Sequence, residues 1–115
     1  MTDNLRNDTL SILKKYDLFA KKKLGQNFLV DESALAEIVK AAALTKEDDV
    51  VEIGPGLGTL TKALAPACRR LTSIEYDKIL IPILTEELSN FNNIELIHQD
   101  ALKFPLYSLI LLKSL

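Results

Sequence analysis

Hydrophobic residues follow two different periods along this chain. Val50-Val51-Glu52-Ile53 is a short β-branched run, the kind that suits a strand covered on both faces. Leu71-Thr72-Ser73-Ile74-Glu75-Tyr76 and Ile94-Glu95-Leu96-Ile97-His98 read as a second and a third strand. Elsewhere the period is helical. Leu10, Leu13 and Tyr16 predict a short amphipathic helix from about Thr9 to Tyr16, with Met1 to Asn4 loose. Asp31 is placed as an N-cap, and Leu35, Ile38, Val39 and Ala42 fall at i, i+3, i+4 and i+7 as a core-facing stripe. Leu60, Ala63 and Leu64 share one side of a helix that Ala65-Pro66 should end. After Asp77, a further cap, Leu80, Ile83, Leu84 and Leu88 form a buried side. Pro82 lies inside that last pattern and would cost about 3 kcal/mol deep in a helix, so this helix should start late or kink.

Strands alternating with helices predict a parallel sheet, and right-handed crossovers give the order third, second, first. The first strand runs straight into Gly54-Pro55-Gly56-Leu57-Gly58. Glycine has no Cβ, so a ligand can approach the backbone, and positive φ is accessible. The spacing is acid-x-Gly-x-Gly-x-Gly, with Glu52 as the acid. Dinucleotide enzymes favour Gly-x-Gly-x-x-Gly; the form seen here is that of S-adenosylmethionine (AdoMet) methyltransferases. A tight turn that binds nothing remains open from this stretch alone. Glu75 ends the second strand 21 positions after Gly54, where a doubly wound fold holds a ribose by its hydroxyls. Asp100 follows the third strand and could accept from an adenine amino group. Gly54, Glu75 and Asp100 are therefore expected to line one crevice at the strands' carboxyl ends. His98 reads as a strand residue with a satisfied ring rather than a base.

Composition narrows the picture further. A chain of 115 residues is expected to hold one domain, and its formal net charge of −2 carries no whole-chain nucleic-acid signal. The lone Cys68 excludes an internal disulfide framework and reads as a small buried residue in a reducing compartment. No uncharged run approaches the roughly 20 residues of a membrane span, and no signal-peptide pattern opens the chain, so cytoplasm is the default expectation. Residues 1–30 carry a net charge of +3, with Lys21, Lys22 and Lys23 in a row; a solvated face and phosphate contact are both open for them. Gln26 and Asn27, flanked by Gly25 and Phe28-Leu29, place two amides together. Such a pair suits a zwitterionic group such as a methionine moiety, or simply caps a turn.

Together, Leu24-Gly25-Gln26-Asn27-Phe28-Leu29, Val51-Glu52-Ile53-Gly54-Pro55-Gly56-Leu57-Gly58, Ile74-Glu75 and Gln99-Asp100-Ala101 closely resemble the ribosomal RNA adenine dimethylases. The match is to the bacterial small-subunit branch. The macrolide-resistance branch typically has serine where Gly25 stands and usually lacks Gly-Pro-Gly. The resemblance covers about residues 15 to 105. It implies an α/β, Rossmann-like AdoMet-dependent methyltransferase fold, with AdoMet as cofactor, no metal and no membrane. The implied reaction is dimethylation of adjacent adenines in small-subunit ribosomal RNA, on the immature small ribosomal subunit. Carried over by position, Asn27 and Leu29 would contact the cofactor from a basic N-terminal arm, residues 1–30. Gly54 would lie beneath it, Glu75 would hold the ribose and Asp100 the adenine, while Lys21 to Lys23 would lie near RNA.

The departures from the family pattern are as specific. The family's Asn-Leu-Pro-Tyr motif activates and stacks the target adenine. Here the prolines at 55, 66, 82 and 105 are preceded two places earlier by Ile53, Leu64, Leu80 and Lys103, and Phe104-Pro105-Leu106-Tyr107 is only a superficial echo. No catalytic residue is therefore assigned. Residues 31–115 are expected to form an incomplete domain truncated after the third strand, without the family's helical C-terminal domain. The expectation is a marginally stable fragment prone to associate through the open edge of its Gly54 strand. It should bind AdoMet weakly and be inactive alone. Two rivals stand beside this reading. One is an NAD-type Rossmann fragment, separable by cofactor competition. The other is a non-catalytic RNA-binding remnant, which would depend on Lys21 to Lys23 and not on Glu75 or Asp100.

Overall fold

The computed structural model describes residues 3–17 and 31–100. In chain order they form α1 (Asp3–Lys15), α2 (Glu32–Ala42), β1 (Asp49–Ile53), α3 (Thr59–Leu64), a 3₁₀ turn (Ala65–Ala67), β2 (Arg70–Glu75), α4 (Leu80–Glu87) and β3 (Ile94–His98). The strands make one parallel sheet in the order β1-β2-β3. Val50 pairs with Leu71 and Glu52 with Ser73; on the other side of β2, Leu71 pairs with Ile94 and Glu75 with His98. The expected order and parallel sense are both present. β2 is the middle strand, and β1 has no partner on its outer side among the described residues.

Side chains alternate across a strand, so the register fixes which residues share a face. Val50, Glu52, Leu71, Ser73, Glu75, Ile94, Leu96 and His98 lie on one side. The helices pack against that side. Val50 and Leu71 join Leu64, Ala65 and Cys68 in one buried cluster, with Val39 and Leu44 packed on it. Ile94 and Leu96 pack on a second cluster of Leu57, Leu80, Ile83, Leu84 and Leu88. The opposite side carries Val51, Ile53, Thr72 and Ile74; Ile74 is buried in the middle strand, whereas Ile53 on β1 is 49% exposed. The expectation of a β1 covered on both faces therefore does not hold among the described residues.

Two helices, α1 and α2, differ in detail from their sequence patterns, and α4 follows its own. α1 begins at Asp3 rather than near Thr9, so Asp3 and Asn4, expected to be loose, are helical. Lys14 and Lys15 in its last turn suit the negative end of the helix dipole, a signal the apolar period does not carry. α2 is capped as expected, the Asp31 carboxylate accepting from Ser33 N–H at 2.9 Å and Ala34 N–H at 3.3 Å. Its stripe is nevertheless not core: no α2 residue is buried, and Ile38 is 42% exposed. α4 starts late. Asp77 accepts from Ile79 N–H at 2.9 Å, and Pro82 falls in the helix's first turn, where its missing N–H has no intrahelical partner to lose. Leu80, Ile83, Leu84 and Leu88 are all buried.

α1 sits on the second cluster through Ile12, Leu13 and Tyr16. The Tyr16 hydroxyl lies 2.5 Å from Glu86 Oε2 and 2.9 Å from Glu87 Oε2, with one proton to give to either. Lys15 pairs with both carboxylates at 3.6 and 3.7 Å, and Lys62 of α3 reaches Glu87 at 2.9 Å. Burial raises the Glu87 carboxyl's proton affinity, but Lys62, Tyr16 and Lys15 outweigh it and hold the group below its ordinary value. Among the described residues, no helix is long and apolar enough to cross a membrane. The apolar stretch 106–112 lies outside the described residues.

The turn after β1 runs through three glycines with φ of +70°, +61° and +85° at 54, 56 and 58. A Cβ at Gly58 would stand 3.2 Å from Leu88 Cδ2, whereas one at Gly54 would meet nothing within 4 Å. Gly54→Ala should therefore cost only the left-handed backbone penalty, about 1–2 kcal/mol. Gly58→Ala should cost roughly 1 kcal/mol more, because the core must also make room. Urea unfolding of the two variants measures the difference, and equal losses would mean that packing at Gly58 contributes nothing.

Candidate functional site

The carboxyl ends of β1 and β2 meet at the glycine turn. Gly54 N–H donates to Ile74 O at 2.8 Å, extending the β1–β2 ladder by one rung before the chain turns away. Gly58 N–H then closes the turn onto Pro55 O at 2.8 Å, and Lys62 N–H bonds Gly58 O at 2.9 Å to begin α3. Among the described residues, nothing lies within 4 Å of the missing Cβ position at Gly54.

Glu75 ends β2 beside this turn. Its side chain is only 5% exposed, so it is not a loose acid at a strand end. Oε1 accepts from Gly56 N–H at 3.3 Å and Oε2 from Asp77 N–H at 2.9 Å. Each oxygen keeps a lone pair, so the carboxylate is aimed by the backbone without being saturated. Gln99 N–H donates to Glu75 O at 3.0 Å, which carries the β2–β3 ladder to the residue before Asp100. Asp100 is half-buried. The structure thus brings Gly54 and Glu75 together and sets Asp100 just past the neighbouring strand's end. Asn27, Leu29 and Lys21 to Lys23 lie outside the described residues. His98 is exposed, and its Nε2 lies 3.0 Å from Tyr76 O. A carbonyl only accepts, so Nε2 carries a hydrogen.

A second acid, Glu52, went without a role in the sequence pattern. It is 8% exposed on β1. Oε1 accepts from Thr61 Oγ1 at 2.6 Å and from Ser73 Oγ at 3.0 Å. Burial pushes its carboxyl above the ordinary 4.5, the two hydroxyls pull it partly back, and the nearby Glu75 adds to the rise. Position alone could have signalled the inward direction, because Glu52 alternates with the buried Val50. Its partners, nine and twenty-one residues away, carry no local signal. Burial likewise pushes the Cys68 thiol up, in keeping with a structural residue. An open cavity of about 440 Å³ is lined by Lys46, Arg69, Phe91 and Asn93 among others. It lies by the amino ends of the strands, away from the end where open α/β sheets bind ligands.

Known proteins are similar to this chain in sequence and in fold. A Clostridium botulinum (strain Loch Maree / Type A3) protein named ribosomal RNA small subunit methyltransferase A is 54% identical over 103 residues, covering 90% of this chain and 38% of that protein. The chain therefore spans well under half the length of this relative. Among solved structures, the 23S rRNA methyltransferase ErmE aligns with a TM-score of 0.64 and 43% identity over 67% of this chain and 32% of its own. A dimethyladenosine transferase from Plasmodium falciparum aligns at 0.59 and 34% over 64% and 28%. The N-methyltransferase NodS from Bradyrhizobium japonicum, crystallised with S-adenosyl-L-homocysteine, aligns at 0.54 and 26% over 64% and 36%.

A parallel β3-β2-β1 sheet with helical crossovers and a glycine turn after its first strand is the Rossmann-like fold of methyltransferases, and an AdoMet-type cofactor goes with that class. The profile described as ribosomal RNA adenine dimethylase matches residues 18–113, and the chain belongs to that family.

Glu52 gives the site a pH signature. A carboxyl whose folded pKa is raised contributes stability that is complete below its unfolded value and is lost as pH rises through the folded one. Glu52→Gln removes this loss. Its stability relative to the parent chain should grow as pH rises from about 4.5 and level off once the folded carboxyl has ionised. Urea unfolding of both chains across that range is the measurement; a constant difference would mean that folding does not change the proton affinity of Glu52.

Proposed function

We propose that this chain is the AdoMet-holding part of an enzyme that dimethylates adjacent adenines of small-subunit ribosomal RNA, acting on the immature small subunit. The observation that carries the reading is the Glu75 carboxylate, buried and aimed by Gly56 and Asp77 N–H groups beside a face of Gly54 that no described residue covers within 4 Å. Bound AdoMet supplies an activated methyl group. The chain's own residues hold and orient it. Gly54 lets the ligand approach the backbone because no Cβ intervenes. The free lone pairs of Glu75 accept from ribose hydroxyls, as an acid at the end of the second strand does in doubly wound folds. Asp100 accepts from the adenine amino group. In this reading residues 1–30 act as an arm, with Asn27 and Leu29 closing on the cofactor and Lys21 to Lys23 meeting RNA phosphates. Residues 31–115 supply the sheet and its strand-end site.

Membership of the rRNA adenine dimethylase family supports the substrate class, and the names of the relatives support the choice of the small subunit. Titration calorimetry tests the cofactor assignment. AdoMet should bind the 115-residue chain in preference to NAD. Glu75→Ala should weaken AdoMet binding by about 1–3 kcal/mol, the cost of losing a charged hydrogen-bond partner. NAD binding more tightly than AdoMet, or an unchanged AdoMet affinity in the variant, would overturn the reading.

A further inference from the structure

The glycine turn is bracketed by two residues that meet across it. Glu52 lies two positions before Gly54 and Thr61 three positions after Gly58. Their side chains are joined by the 2.6 Å bond from Thr61 Oγ1 to Glu52 Oε1. Ser73 Oγ donates to the same oxygen at 3.0 Å from the middle strand. Thr61 and Ser73 are both fully buried, so water does not compete for these bonds. One oxygen thus joins β1, β2 and α3. Ser73 and Glu75 project from the same face of β2, two residues apart, so the strand that anchors the carboxylate also carries the proposed ribose acceptor.

The geometry points to Glu52 as a positioning residue that, through Thr61 and Ser73, fixes the height of the glycine turn relative to Glu75. This rests on the reading of Gly54 and Glu75 as the cofactor cradle. Glu52 itself is not placed against the ligand. Its effect is transmitted through α3: without the bond to Thr61, the hydrogen bonds left to the turn among the described residues are its own backbone bonds and Gly56 N–H on Glu75, beside the packing of Leu57 in the second cluster. That last bond, at 3.3 Å, is the longest of those holding the turn.

Two substitutions at position 61 separate positioning from packing. Thr61→Val keeps the shape and removes the hydroxyl; Thr61→Ser keeps the hydroxyl and removes a methyl. If the hydroxyl bond sets the turn, Thr61→Val should weaken AdoMet binding about tenfold, the order of one lost buried hydrogen bond. It should also shift the amide resonances of Gly54, Gly56 and Gly58, while Thr61→Ser stays close to the parent on both counts. If position 61 matters only as core, Thr61→Ser is the more damaging change and Thr61→Val leaves affinity and resonances in place, which would overturn the inference. Ser73→Ala repeats the test from the other strand and should also weaken binding. With Glu75→Ala as reference, the two failures stay distinct. An affinity insensitive to Glu75→Ala removes the cradle itself, whereas sensitivity to Glu75→Ala without sensitivity to Thr61→Val removes only the role of Glu52.

Discussion

The rung from Gly54 N–H to Ile74 O is the constraint on which the functional end of the molecule depends. It is the last point at which β1 is held to β2. Everything after it must leave the sheet, reverse and enter α3 within five residues. A chain of L-residues with side chains has few conformations that do this, and the three left-handed φ values at 54, 56 and 58 are the solution taken. The glycines therefore serve two ends at once. Gly58 is bare because Leu84 and Leu88 crowd it from below; Gly54 is bare on a side where nothing among the described residues stands within 4 Å. Packing accounts for the first absence of a side chain and not for the second.

Much of this was legible in the chain because it is local. Strand and helix periods, the cap at Asp31, the late start imposed by Pro82 and the buried side of α4 are all written in residues less than three turns apart. The spacing of Glu75 from Gly54 places the acid at a strand end. What it does not carry is the pair of N–H groups that aim the carboxylate, one from the turn and one from the following loop. The α2 stripe shows the opposite limit. Leu35, Ile38, Val39 and Ala42 do share a face, but periodicity says which residues lie together and not whether anything lies against them. Only Val39 of that set packs on a buried cluster among the described residues. The inference from amphipathicity to burial thus failed at its second step.

Glu52 illustrates why buried polar groups are the hardest to read. An acid in a β-branched run looks like a solvent-facing interruption. Its alternation with Val50 puts it inside, where an unpartnered carboxylate would be costly. Thr61 and Ser73 make the position tenable, and neither is near enough in sequence to be recognised as a partner. Sheet register supplies the pairing with Ser73, and the return of α3 supplies Thr61. The arrangement is therefore a property of the assembled layer.

The seating of α1 joins two forces that respond oppositely to the medium. Ile12 and Leu13 hold it by apolar contact, which strengthens when excluded salts raise the cost of exposing hydrocarbon. Lys15 and Glu86, 55% and 58% exposed at their side chains, hold it by charge, which dissolved ions screen over about 8 Å at physiological strength. Concentrated salt of the excluded kind should thus press the helix onto the core while weakening the exposed Lys15–Glu86 pair that helps fix its rotation there, leaving the Tyr16 bonds to Glu86 and Glu87 in place. A helix held on one side by hydrocarbon and steered by exposed ions keeps its position more faithfully than its orientation.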